Sequence, residues 1–401
     1  METAMEFNPL SNDFFDDPYD MYRWLRDEAP CYHNERMGFW ALSRFDDVVT
    51  AHRDWKTFTS THGLTLDQLT DPDNAAAQAP MIITMDPPAH DRMRKLVSRA
   101  FTPRAITRME DIAQGIINHY LDEVQGEPGF DAVADWAAPF PVEIISAILG
   151  VPAGDRQQIR HWTDDLLTRL PGDPRPPQAA MEAGLNQILY FLELIKEKRA
   201  HPGEDMLDQL IEAEVPDDDG TLQRLTDEEI AGFALLLASA GSETVTKLVG
   251  SAVVLFHRNP GEWQKILDDD AKIVNAVEEV LRYWAPSQYQ GRFSTVDSEW
   301  HGVTLPAGQP VFLLTGAANR DEREYENPDV FDIDREIGLS VGLGHGIHSC
   351  LGAALARLES RMAIAEWRRR YPKFDVDDAG CRRVNMANVA GYSNVPVTVG
   401  G

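Results

Sequence analysis

Apolar residues recur at helical spacing through most of the chain from Pro103 to Trp284, whereas strict alternation is confined to Phe39–Ser43 and to the region after Arg292. This pattern predicts a mostly α protein with small β-sheets. The longest apolar run opens with Thr226-Asp227-Glu228-Glu229 and stops before Pro260. Thr226 and Glu229 form a capping box at its start, and about thirty residues make a helix ~45 Å long, enough to cross a whole domain. Pro171–Pro177 and Pro216–Gly220, rich in Pro, Gly and Asp, read as loops between helices. No Ser/Gly-rich linker, low-complexity tract or internal repeat divides the chain, so residues 1–401 read as a single domain.

Near the C-terminus the helical pattern meets a glycine-rich segment, Gly342 to Arg357, that contains Cys350. Gly342, Gly344 and Gly346 permit turns with positive φ and close approach of a flat ligand. Leu351, Leu355, Leu358 and Met362 fall at helical spacing, which predicts a helix entered at Cys350 with Ser349 as its cap. First-turn N–H groups would then point at the sulfur and favour a thiolate.

A buried free cysteine is commonly just a small hydrophobe. His345, His348 and Cys350 are potential zinc ligands, yet a structural site needs about four, and Cys31 and Cys381 have no paired spacing. A cysteine phosphatase would require a loop closed by arginine, and Arg357 lies two helical turns away. The glycines have the wrong spacing for a dinucleotide fingerprint and no preceding parallel strand. What remains is a flat metal macrocycle with cysteine as axial ligand.

At these residues the chain resembles the cytochrome P450 haem-thiolate monooxygenases, whose loop reads aromatic-Gly-x-Gly-x-His-x-Cys-x-Gly. Here the positions are Leu343, Gly344, Gly346, His348, Cys350 and Gly352. Leu343 departs from the usual Phe; it keeps the apolar shield and loses the aromatic face. The resemblance covers nearly the whole chain, implies the P450 fold with the long central helix over the haem, and makes Cys350 the axial ligand of haem b.

Three further motifs follow in the family's order. Ala240-Gly241-Ser242-Glu243-Thr244 lies inside the long apolar segment, where Gly241 and the hydroxyls would weaken the helical ladder and an acid–alcohol pair supplies a proton route. By resemblance Thr244 and Glu243 serve oxygen activation, with Ala240 and Gly241 against the haem. Glu279-Val280-Leu281-Arg282 would, in isolation, be an exposed ion pair worth little. Its place ahead of Asn327–Arg335 and the cysteine loop implies a buried structural triad of Glu279, Arg282 and Arg335. Asp86–Arg94 puts His90 and Arg94 four residues apart on one helix face. The resemblance assigns them to the haem propionates on one side, with Arg292 and His348 on the other.

The formal net charge is -28, from 65 acids against 37 bases. That balance argues against nucleic acid and anionic membranes as partners. Residues 1–10 hold neither an export signal nor an apolar span, and three scattered cysteines suit a reducing compartment, so a cytoplasmic protein is expected. Bases gather at Arg92, Arg94, Lys95, Arg99, Arg104 and Arg108. The alternatives are an ordinary solvated helix face and a docking patch for an acidic ferredoxin, which the absence of any flavin or nicotinamide motif would require.

The resemblance implies insertion of one oxygen atom from O2 into a C–H bond. The segments expected to line the cavity are 61–85, the region flanking Pro171, 233–240, 286–291 and 389–394. Their mixture of aliphatic side chains with Gln288, Tyr289 and Gln290 suits a medium-sized, largely apolar substrate with a polar handle. Two other readings stay open: a haem-thiolate protein that binds a gas or isomerises a peroxide, and a haem-free interaction module of the same fold.

Overall fold

A computed structural model describes residues 5–70, 81–101, 103–216, 220–384 and 386–400, with the side chains of residues 99, 100, 103–105 and 108 outside the description. The longer helices are α1 (Tyr19–Glu28), α2 (Phe45–Arg53), α3 (Ala89–Val97), α4 (Pro103–Glu123), α5 (Pro139–Leu149), α6 (Arg156–Leu167), α7 (Gln178–Ala200), α8 (Asp227–Arg258), α9 (Ile273–Tyr283) and α10 (Ala353–Arg370). The expected mostly helical architecture is the one observed.

Helix α8 is the axis of the molecule. Its 32 residues begin at the capping box, where the Thr226 hydroxyl accepts from Glu229 N–H and the Glu229 carboxylate accepts from Thr226 N–H. Being apolar on nearly every side, it needs neighbours all round. Helices α5, α6, α7 and α10 supply them. Residues 132–149 are long and apolar enough to cross a membrane, but 72% of that window is buried inside the protein, against α8 among others.

Helix α8 is continuous through Gly241. The hydroxyls of Ser239, Ser242 and Thr244 fold back onto the carbonyls of Leu235, Ala238 and Ala240. Such back-bonds compete for the ladder's carbonyls, the weakening expected there, without interrupting the helix.

The main sheet carries five strands, β1 (Cys31–Asn34), β2 (Phe39–Leu42), β3 (Phe58–Thr59), β4 (Gln290–Ser294) and β5 (Pro310–Leu313), in the order β1-β2-β5-β4-β3. The β2–β5 pair is parallel and the rest antiparallel. Val311 pairs with Arg292 and Phe312 with Gly291, so an interior strand delivers Arg292. A Cβ at Gly291 would lie 2.3 Å from the Leu64 carbonyl oxygen, which brings the 61–70 segment against β4. The 171–177 segment is a loop, and 215–223 is a small hairpin whose residues 217–219 lie outside the described set.

Candidate active site

The cysteine loop is built by backbone bonds that only its glycines permit. Gly344 and Gly346 both adopt φ +69°, in the left-handed region that penalises a Cβ. Gly344 N–H donates to Val341 O at 2.9 Å, Ser349 N–H to Gly346 O at 3.1 Å and Cys350 N–H to Leu343 O at 2.8 Å. A Cβ on Gly346 would sit 2.2 Å from the His52 carbonyl oxygen of α2, and one on Gly342 2.6 Å from the Leu281 carbonyl oxygen of α9. The loop thus lies directly on two backbones.

One expectation at the loop needs correction. Helix α10 begins at Ala353 with Gly352 at its cap position making no side-chain bond, and Gly346–His348 forms a 3-10 turn that Ser349 closes, so Ser349 does not cap α10. The extended ψ of 138° at Ser349 separates that turn from the helix that follows. The donors expected to favour a thiolate at Cys350 are in place, and burial opposes them. Burial pushes the Cys350 thiol up from its ordinary value, while the Gly352 N–H, Arg94 and Arg357 pull it down without prevailing. The residue nonetheless has accessible surface. Deep placement and accessibility are compatible if the sulfur faces a space within the protein, where a bound metal cation would complete the ionisation.

Hydrogen-bond donors, two of them the guanidinium groups of Arg94 and Arg292, collect around that space. The His90 and His348 rings stand edge to face, 4.7 Å apart, so the two expected propionate sides meet in one cluster rather than facing each other across the site. Packing of the α3 start against the loop brings them together. His348 Nε2 lies 3.1 Å from Ser60 Oγ, and burial, then Arg292, His90 and Arg94, push its pKa down to about 3. Arg292 is 4% exposed, its only side-chain hydrogen bond among the described residues goes to Gly291 O, and burial lowers its pKa to about 10 against the pull of Asp86. Arg94 makes no ion pair among the described residues, and His90 Nε2 is buried without a partner. Buried cations normally have anions.

Above the loop's sequence partners, α8 carries a telling stripe. Between Ile230 and Phe256 every residue is buried except Leu236, Gly241 and Thr244, which are half-buried, and Ala240, which is exposed. These four share one helix face. Thr244 Oγ1 donates to Ala240 O at 2.7 Å, leaving its lone pairs free to accept. Glu243 points elsewhere, into an ion pair of 2.9 Å with Lys247 one turn on, with both side chains at most 4% exposed.

The Glu279 carboxylate takes a two-pronged contact from Arg282 at 2.7 and 2.8 Å, and Arg335 approaches it at 3.4 Å. Arg282 also donates to Asn319 O, and Asn319 Oδ1 accepts from Val341 N–H at 3.0 Å. That route joins the triad to the cysteine loop. Asn319, Lys247 and the buried His52 were missed in the sequence. Lys247 alone left a legible signal, its i, i+4 spacing from Glu243.

The proposed docking bases are less free than their spacing implied. Arg92 grips Glu229 and the Arg224 carbonyl, and Arg94 faces Cys350; Lys95 is exposed. Arg99, Arg104 and Arg108 lie outside the described side chains. Part of the expected cavity loop, residues 71–80, lies outside the described residues too.

An accessible cysteine, unpaired cationic donors and an open stripe on an otherwise buried helix fit a planar, metal-centred macrocycle bearing carboxylates. Comparison with known proteins agrees. A profile described as Cytochrome P450 matches residues 178–378. A putative cytochrome P450 123 from Mycobacterium tuberculosis is 40% identical over 99% of this chain and 98% of its own length. The biotin biosynthesis cytochrome P450 of Bacillus subtilis is 33% identical over 97% of this chain and 98% of its own. Substrate-free CYP109E1 from Bacillus megaterium superposes with a TM-score of 0.87 at 32% identity, covering 96% of this chain and 98% of that one.

The chain belongs to the cytochrome P450 family. Its members are haem monooxygenases, oxidoreductases whose iron is held by a cysteine thiolate and which use dioxygen, an organic substrate and a redox partner.

Proposed function

We propose that this protein hydroxylates a C–H bond of a medium-sized, largely apolar molecule, with electrons supplied by a separate ferredoxin and its reductase. We read residues 1–401 as one catalytic unit. The observation that carries the proposal is the accessible face of Leu236, Ala240, Gly241 and Thr244 on an otherwise buried helix. Haem held at Cys350 would supply the iron at which dioxygen is activated, with thiolate electron density favouring O–O cleavage.

His90, Arg94, Arg292 and His348 would bind the propionates, which supply the missing anions. Leu343, Gly344 and Gly352 would flank the sulfur, and Ala240 and Gly241 would leave room for the ring. Thr244 Oγ1, whose own proton is held by Ala240 O, would accept a hydrogen bond and so position the proton-bearing group near the reacting oxygen, with Glu243 as the acid behind it. Glu279, Arg282 and Arg335 would hold the loop in place. CYP109E1 has been crystallised with corticosterone and testosterone, and P450BioI with a fatty acid ligated to acyl carrier protein. Both support substrates of steroid or fatty-acyl size.

The test is the carbon monoxide difference spectrum of the dithionite-reduced protein, followed by a screen of steroids and fatty acids for the spin shift that accompanies loss of axial water. A strongly red-shifted ferrous-carbonyl Soret band and a product hydroxylated with coupled electron use are expected. Haem without the red shift would remove Cys350 as ligand, and a protein that takes up no haem would favour the interaction module. Peroxide isomerisation or gas binding without hydroxylated product would overturn the reaction assigned.

A further inference from the structure

Helix α7 carries apolar side chains on its outer side as well as its inner one. Phe191, Leu194 and Ile195 are buried where the helix packs on α6 and α8. On the other side Met181, Leu185 and Leu189 are 58%, 60% and 54% exposed. Spaced four residues apart, they fall within an arc of about 80° and run for ~12 Å along the helix. The half-buried Ile188 and Leu192 continue the stripe. A single exposed leucine is ordinary, but a surface helix normally turns polar residues outward. Among the described residues no other helix repeats exposed large apolar side chains in this way.

The two ends of the stripe carry exposed ion pairs in opposite order. Beyond Leu189 the helix presents Glu193 and then Lys196, joined at 3.2 Å. Ahead of Met181 the 171–177 loop presents Arg175 and, farther out along the chain, Asp173, joined at 2.9 Å.

We infer that this face docks on the same face of a second copy of the chain, with the two α7 helices antiparallel about a two-fold axis at Leu185. A two-fold interface must complement itself, and this stripe does. Leu185 meets Leu185 of the second copy, and Met181 and Leu189 meet each other in both directions. The end of one helix that offers acid first then lies against the end that offers base first, with Glu193 toward Arg175 and Lys196 toward Asp173 of the second copy. Side by side in parallel, the helices would instead set Glu193 against Glu193.

A lipid surface fits the same face less well. Helices that lie in a membrane surface are rich in Lys and Arg on their polar face. Here the exposed Glu182, Glu193 and Glu197 adjoin the stripe, and Lys198 and Arg199 are engaged by Asp205 and Asp227. A standard protein interface buries about 800 Å² on each partner. Three apolar side chains and two ion pairs supply part of that area, so the dimer should dissociate at concentrations on the order of micromolar.

The test is sedimentation velocity of the full-length, haem-bound protein from about 1 to about 100 µM, a range that brackets such a dissociation constant. The dimer fraction should rise with concentration and fall with added salt, which screens the terminal ion pairs. Leu185→Glu sets two like charges face to face at the axis and should weaken the dimer about tenfold or more. Val274→Glu, at a 52% exposed site on α9, should leave it unchanged. Glu193→Lys should weaken it and Glu193→Lys with Arg175→Glu should restore it. All of these side chains are exposed, and equal thermal melting of the variants checks that each is folded.

A monomer throughout the range overturns the docking, as does a dimer unmoved by Leu185→Glu or weakened equally by Val274→Glu. Failure of the double variant to recover overturns the antiparallel register. Leu185→Cys should form an intermolecular disulfide on oxidation, above the wild-type background, more readily than Met181→Cys; the reverse order also overturns that register. Flotation of the wild-type protein with phosphatidylcholine vesicles, lost in Leu185→Glu, would assign the face to lipid and overturn the dimer.

Discussion

The N–H of Cys350 donates to the carbonyl of Leu343 at 2.8 Å, which returns the chain on itself and fixes the cysteine beside the residue that replaces the family's usual phenylalanine. The turn that makes this possible is Gly346, whose backbone rests on His52.

Gly346→Ala should therefore damage the loop. A left-handed alanine costs ~1–2 kcal/mol, before counting the 2.2 Å approach of its Cβ to the His52 carbonyl oxygen. Thermal melting of the purified protein and its haem content should both fall. Gly261→Ala, on the helix Pro260–Asp268 and outside the haem site, meets nothing within 4 Å and serves as the control. Equal haem content in the two variants would show that the loop adapts.

Glu279 and Arg282 are both at most 1% exposed. Removing one partner of such a pair strands the other charge, at a cost of about 3–5 kcal/mol. Glu279→Gln should lower the urea midpoint sharply and shed haem. Arg335→Gln, at the longer 3.4 Å contact, should cost less. A reversed order would mean that Arg335 is the principal support.

Thr244→Ala should leave haem spectra intact and divert electrons from product to peroxide, whereas Thr244→Ser should retain most of the coupling. The check is product formed per reductant consumed, alongside peroxide release. Wild-type coupling in the alanine variant would remove the hydroxyl from the proton route.

Glu359, on α10, is 1% exposed, and its Oε2 has no hydrogen-bond partner among the described residues. Burial pushes its pKa well above the ordinary carboxyl value. The folded state therefore keeps a proton that the unfolded chain loses. The contribution is complete below the unfolded pKa and is lost as pH rises toward the folded one, at up to ~1.4 kcal/mol per pH unit. Glu359→Gln has no proton to lose, so its stability relative to wild type should increase from about pH 5 to about pH 9. Urea unfolding at both ends of that range checks this, and a pH-independent difference would mean that Glu359 is ionised when folded.

Periodicity, capping and motif order made the mostly α fold, the extent of α8 and the family legible in the chain itself. These are short-range properties. A capping box spans Thr226 to Glu229, and a helical stripe repeats every turn. The sequence likewise placed Cys350 in a glycine-rich loop, because only glycine tolerates the turns at positions 344 and 346.

Tertiary structure alone decided which charges meet. His90 stands against His348, Asn319 links Arg282 to the cysteine loop, and Arg92 is occupied by Glu229. The forces on the Cys350 thiol were also set in three dimensions: the Gly352 N–H, Arg94 and Arg357 favour the thiolate, and burial opposes it. Elements pack to bury apolar area, which has no directional preference, so the polar partners they bring together are set by the packed whole and not by any local stretch.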